Sequence, residues 1–180
     1  LDKEYYINEA KKRIEMFLTK DEEKVDETPN ILFKCMCESL TFYDFLEKCS
    51  ENNITKKVLE QYLIADCCSN YGKTKKLLLF RDYFLMLYGK DKMTVTTLNK
   101  KISDENIKSI VISNAELSKT GKSYNNLNSR KALLEIFDYI PNEHIDPYEI
   151  MKMQVNKFGT VRYKDSKLIN RYFVLNTRNI

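Results

Sequence analysis

Apolar residues Ile7, Ala10, Ile14, Phe17 and Leu18 recur at intervals of three and four, so residues 2–18 are predicted to form an amphipathic helix capped by Asp2. The acidic run over residues 21–27 has no apolar anchors and closes at Pro29, and it reads as an exposed loop. A sharper helix start follows. Thr41-Phe42-Tyr43-Asp44 has the spacing of a capping box with Asp in place of Glu, and Phe42, Phe45, Leu46 and Cys49 share the face behind it. Past Asn52-Asn53, Thr55 is expected to cap a second short helix striped by Val58, Leu59, Tyr62 and Leu63.

Asn70-Tyr71-Gly72 interrupts the pattern before residues 73–88, where Leu77, Leu78, Phe80, Phe84, Leu85 and Leu87 give an apolar surface broad enough for a central, most buried helix stopped by Gly89. Residues 90–127 are more polar. They are expected to hold one short helix after Ser103 and a loop over 119–126. Asn128 or Ser129 then opens a helix with Leu133, Phe137 and Ile140 on one face, ended by Pro141. Asp146-Pro147-Tyr148-Glu149 combines a cap, proline at the first helical position and an acid at the third, and predicts a helix to about Lys157. After Gly159 the period changes to two strand-like runs, 160–163 and 171–175, a hairpin too small to stand alone.

Composition narrows the function classes. With 43% hydrophobic residues and 12% aromatics the chain is globular in character, and 180 residues can bury one sizeable core or two small ones. Only 4 Gly and 3 Pro leave almost no material for Gly-rich phosphate loops, which argues against the usual nucleotide-cradling enzymes. No apolar stretch approaches the roughly 18 residues of a membrane span, and the first residues form a charged segment rather than a signal peptide, so a cytoplasmic protein without a membrane partner is expected. Leu1 in place of Met, and an end directly after a strand-like run, suggest a piece of a longer protein.

Cys35, Cys37, Cys49, Cys67 and Cys68 make an odd count without scaffold spacing and read as reduced core thiols. Each close pair lacks the two-residue gap of a metal site and His144 is the single histidine, so no metal is assigned. The net charge is +4, and residues 158–180 alone carry Arg162, Lys164, Lys167, Arg171 and Arg178 against Asp165. This end is therefore the basic part; a nearby polyanion and a merely solvated hairpin are both consistent with it.

One ordered block stands out: Ser39-Leu40-Thr41-Phe42-Tyr43-Asp44-Phe45-Leu46, then Asn53-Ile54-Thr55-Lys56-Lys57-Val58-Leu59-Glu60, then Gly72-Lys73-Thr74-Lys75-Lys76-Leu77-Leu78. It resembles the helix-hairpin-helix region that follows the polymerase fingers in bacterial and phage DNA polymerase III α subunits. Asp66-Cys67-Cys68-Ser69 stands where the family commonly has Gly-Ala-Phe-Asp, and Lys75 where it has arginine. Downstream, 149–159 is similar to the family's lead into an oligonucleotide-binding barrel, with Phe158-Gly159-Thr160-Val161 and Tyr172-Phe173-Val174-Leu175 as its opening strands.

The resemblance implies a mainly α fold: a leading helix and acidic loop (1–30), a helical helix-hairpin-helix-like DNA-binding region (31–157), and a β-hairpin beginning a truncated oligonucleotide-binding domain (158–180). It implies a segment that grips the DNA backbone during DNA replication. No catalytic residue is expected in the chain: the paired carboxylates and Mg2+ of nucleotidyl transfer would belong to the rest of the parent polymerase. The implied partners are double- and single-stranded DNA without sequence preference, the remaining polymerase domains and a sliding clamp.

The phosphate-binding candidates are the turn Asn70, Gly72, Lys73, Thr74, Lys75 and Lys76, where a helix start offers free N–H groups, and Lys56 and Lys57 on the preceding helix. Asp66 at the hairpin position weakens the turn, being acidic and lacking glycine's freedom at positive φ. Arg162, Lys164 and Arg171, interleaved with Tyr163, Tyr172 and Phe173, suit single-strand binding by charge and stacking. The polar stretch bearing Lys100, Lys101 and Lys108 is expected to make no DNA contact. From another class, a self-contained helical interaction module of a phage or bacterial protein fits the same amphipathic pattern.

Overall fold

A computed structural model describes residues 27–159 as eight helices and one three-stranded antiparallel sheet. The expected helix over 2–18 and the strands beyond 160 lie outside the described residues. The described residues form two compact units, one holding residues 27–77 with 142–159 and the other 78–141.

The first unit opens with α1 (Thr28–Cys37), which the sequence pattern did not predict. Pro29 does not close a loop here; it sits in the first turn of the helix, where its missing N–H would have had no partner anyway. Leu32, Cys35 and Met36 form the buried face. Next, α2 (Phe42–Glu51) starts at the expected capping box: Thr41 Oγ1 accepts the Asp44 N–H at 3.1 Å and Asp44 Oδ2 accepts the Thr41 N–H at 3.1 Å. Thr55 caps α3 (Lys56–Ile64) by accepting the Val58 N–H, with Asn53 left-handed in the turn between.

The rings of Phe42, Phe45, Tyr62 and Tyr71 lock these helices together, with Phe45 centred 5.9 Å from Phe42, 6.4 Å from Tyr62 and 5.8 Å from Tyr71. Such pairs add about 0.5–1.5 kcal/mol each beyond burial. The Tyr71 hydroxyl donates to the Met36 carbonyl at 3.2 Å, with the Ser39 carbonyl 3.3 Å away, which fixes the turn between α1 and α2.

The last helix of this unit, α8 (Pro147–Phe158), begins at Asp146, whose Oδ1 accepts the N–H groups of Tyr148 and Glu149. Its buried Gln154 donates to the Ile64 carbonyl at 3.0 Å, satisfying an acceptor at the end of α3. Phe158 and Gly159 are not strand residues: Phe158 closes the helix and Gly159 caps it at φ 69°, a left-handed conformation suited to glycine.

In the second unit, the helix α4 (Thr74–Leu87), whose first turns belong to the first unit, packs Phe80 edge-on against Phe137 at 4.9 Å. Phe84 and Leu87 are buried with Phe80, whereas Leu79 and Leu85, 41% and 43% exposed, face outward. The expectation of one helix and a loop over 90–127 is corrected here. The chain runs through β1 (Met93–Thr94), α5 (Val95–Lys101), α6 (Glu105–Ser113), β2 (Glu116–Leu117) and β3 (Ser123–Asn125) before α7 (Ser129–Tyr139).

The sheet order is β1-β3-β2, with Met93 opposite Tyr124 and Leu117 opposite Tyr124 on the other side. These strands of two or three residues carry no readable alternation; their pairing creates them. Thr94, Asp104 and Asn128 cap α5, α6 and α7. The Asn114 amide donates to Glu135 at 3.0 Å and its carbonyl accepts the Asn128 N–H at 2.9 Å, fixing the end of α6 to α7.

Four of the five cysteines, Cys35, Cys49, Cys67 and Cys68, are buried core thiols, while Cys37 is exposed. Burial pushes the Cys49 and Cys68 thiols and the Tyr62 and Tyr71 phenols upward in pKa, each reinforced by a neighbouring thiol. The folded state then holds protons that the unfolded chain gives up. Stability is therefore complete below the ordinary thiol value of 9.0 and should fall as pH rises above it. A urea midpoint that declines above about pH 9, together with rapid native-state labelling of Cys37 alone by an aromatic disulfide reagent, is the expected outcome.

Candidate nucleic-acid interface

The turn from Ala65 to Lys73 joins α3 to α4 and leads into the predicted phosphate site, Asn70, Gly72, Lys73, Thr74, Lys75 and Lys76. Asp66 occupies the left-handed region at φ 59°. Glycine's freedom is not required for this, since a short polar side chain tolerates the conformation, and Asp66 Oδ1 accepts the Thr74 hydroxyl at 3.1 Å. Thr74 is buried, so its hydroxyl is turned to Asp66 and away from solvent.

The N–H of Lys73 is also occupied. Asn142 Oδ1 accepts it at 2.8 Å, while the Lys73 carbonyl takes the first helical bond from Leu77. Gly72 permits this approach, since a Cβ there would lie 3.2 Å from Asn142 Oδ1. Lys75 pairs with Glu143 at 2.7 Å, a surface pair with both partners more than half exposed. Asn70 is exposed, as are Lys73 and Lys75, and Lys76 is half-buried.

Lys56 and Lys57 are exposed on the first turn of α3. The structure thus gathers Asn70, Gly72, Lys73, Thr74, Lys75 and Lys76 at one helix start, but Asn142, Glu143 and Asp66 already satisfy much of what it offers. In the described part of this unit nine basic residues face ten acidic ones, a net −1. Lys48 and Lys157 are further drawn into ion pairs with Glu38 and Glu60, both at 3.1 Å. Arg162, Lys164 and Arg171 lie outside the described residues.

The second unit has the opposite balance, ten basic against seven acidic residues, a net +3. Its cations are unevenly spread. From Leu117 to Leu134 there is no acid, and the stretch carries Lys119, Lys122, Arg130 and Lys131. Lys119 and Lys122 stand exposed on the tip of the β2–β3 hairpin, where Gly121 turns the chain at φ 68° and its N–H donates to the Ser118 carbonyl at 2.9 Å. Neither lysine has an ion-pair partner among the described residues.

The sequence pattern had passed over this hairpin as a loop; the signal that could have found it was Lys-Thr-Gly-Lys inside an acid-free stretch. Among the described residues no group of three or more His, Cys, Asp or Glu side chains is placed to hold a metal ion, and no helix is long and apolar enough to cross a membrane. No protein-family model, no curated protein and no solved structure matches the chain.

The Asn142 contact is the structural keystone of the predicted turn. Asn142→Ala leaves the Lys73 N–H unpaired and should cost about 1 kcal/mol of stability, as loss of a helix-start acceptor does. Lys75→Gln, which removes only an exposed ion pair, should cost less than about 0.5 kcal/mol. Urea unfolding of both variants measures the difference, and equal losses would remove the special role of Asn142.

Proposed function

We propose that the chain is a non-catalytic DNA-binding segment that holds the phosphate backbone through charge. The observation that carries this reading is the basic hairpin tip, two exposed lysines without an ion-pair partner among the described residues, within an acid-free stretch. A polyanion is the partner that such an arrangement accommodates at least cost, because no internal carboxylate must be displaced. The resemblance of residues 39–78 to the DNA polymerase III α subunit supports the same partner and suggests a replicative polymerase as the parent protein. In that setting the catalytic carboxylates, their metal ions and the contact with a sliding clamp belong to other parts of the polymerase.

Lys56, Lys57 and Lys73 supplement the hairpin on this reading, and the paired Lys75 contributes less. Affinity should fall steeply between about 50 and 200 mM salt, with a log–log slope near −0.9 for each phosphate neutralised. Lys119→Gln with Lys122→Gln should make that slope shallower by roughly 2 and weaken binding by an order of magnitude or more. Lys73→Gln, Lys75→Gln and Lys76→Gln together should have the smaller effect. Fluorescence anisotropy with labelled duplex and single-stranded oligonucleotides reads both quantities, and salt-independent binding or none would sink the proposal in favour of a helical protein-interaction module.

A further inference from the structure

We infer that the β2–β3 hairpin holds single-stranded nucleic acid by seating an unstacked base against Leu117 and Tyr124, with Lys119 and Lys122 on the flanking phosphates. The inference rests on the DNA-binding reading above and names the form of nucleic acid and the part of it that is touched.

Strand register puts the two side chains together. Met93 and Leu117 stand opposite Tyr124 on its two sides, so the three side chains form one row across a single face of the sheet. The row runs from core to solvent: Met93 is buried, Tyr124 half-buried, and Leu117, on the edge strand, is 59% exposed. Among the described residues no aromatic ring packs on Tyr124, whereas Phe42, Phe45, Phe80 and Phe84 all have ring partners. The outer end of the row is apolar surface that the described fold leaves uncovered.

A single exposed leucine is ordinary, but the charge around this one narrows what can cover it. Lys119 lies two residues beyond Leu117 and Lys122 two residues before Tyr124, each within about 7 Å of extended chain. Both are exposed and without an ion-pair partner among the described residues. Glu116, the acid next to Leu117, alternates to the other face of its strand, and its carboxylate accepts the Asn126 amide at 2.9 Å.

The tip is fixed in advance. The Ser118 N–H donates to the Ser123 carbonyl at 2.8 Å, the Gly121 N–H to the Ser118 carbonyl at 2.9 Å, and the Val95 N–H to the Lys122 carbonyl at 3.1 Å. A surface ordered before binding loses little entropy when a ligand settles on it. Apolar and aromatic surface between cations suits a ligand that alternates phosphates with flat rings, and single strands offer those ring faces while a duplex keeps them stacked.

The deciding probes are oligothymidylate and an abasic strand with the same number of phosphates, titrated against the full chain by fluorescence anisotropy. Oligothymidylate should bind at least about fivefold more tightly, the low end of what one stacked base contributes. The gap should persist as salt rises, because both strands release counterions alike. At salt high enough to screen the backbone, oligothymidylate should also be bound more tightly than its duplex with oligodeoxyadenylate. Leu117→Ser, at an exposed position, should close most of the gap by weakening oligothymidylate alone, with an unchanged circular dichroism spectrum. Equal affinity for the two strands, preference for the duplex at high salt, or a folded Leu117→Ser variant that loses nothing or loses equally on both strands overturns base seating and leaves backbone binding by charge standing. Absence of binding to every probe overturns both.

Discussion

Pairing of β1 with β3 is the constraint on which the second unit depends. Two short strands place Met93 beside Tyr124 and Thr94 beside Ser123, closing the chain around everything from α5 to the hairpin. Strands this short gain little from their own hydrogen bonds, and the closure must be stabilised by what it brings together. Met93, Leu98, Ile102, Ile107, Val111 and Leu127 are all buried as a result. The Leu127 N–H donates to the Asp91 carbonyl at 2.9 Å, which carries the pairing of the two segments past the strand ends.

In the first unit the corresponding task falls to side chains acting on backbone. Tyr71, Asp66 and Asn142 each take one polar group at a turn or helix start, and each is positioned by apolar neighbours: Tyr71 stacks on Phe45, and Leu77 lies beside Gly72. Such contacts make rigid turns. They also consume the N–H groups and charges that a phosphate would use, so the features that make this hairpin well ordered reduce its capacity to bind anions.

How much could be read from the sequence follows the range of the interactions. Thr41, Thr55 and Asp146, and Asn128 as one of two adjacent choices, were legible as helix starts because a cap acts over two or three residues and its spacing is visible. The helix start after Gly72 was placed correctly for the same reason. Its occupancy was not legible, because the acceptor for Lys73 comes from Asn142, 69 positions away. The three strands and α5 were missed because two-residue strands have no period, and α1 because Pro29 was taken as a terminator when proline fits a first turn equally well. Charge was only partly legible: counts along the chain were available, but which lysines pair with acids depends on folding.

That last distinction decides where a polyanion can be held. An exposed ion pair such as Lys75 with Glu143 is worth little to stability, yet it places a carboxylate beside any approaching phosphate, and the lysine's attraction is largely offset. Among the described residues Lys119 and Lys122 have no such neighbour, and the Gly121 turn presents them exposed at the hairpin tip. Asp104 and Glu105 put two more carboxylates at a helix start, Asp104 hydrogen-bonded to N–H groups and Glu105 paired with Lys108 on the surface, so this end of α6 is likewise a poor place for a phosphate. Net charge sets whether a polyanion approaches at all; the internal pairing of each charge sets the surface on which it can settle.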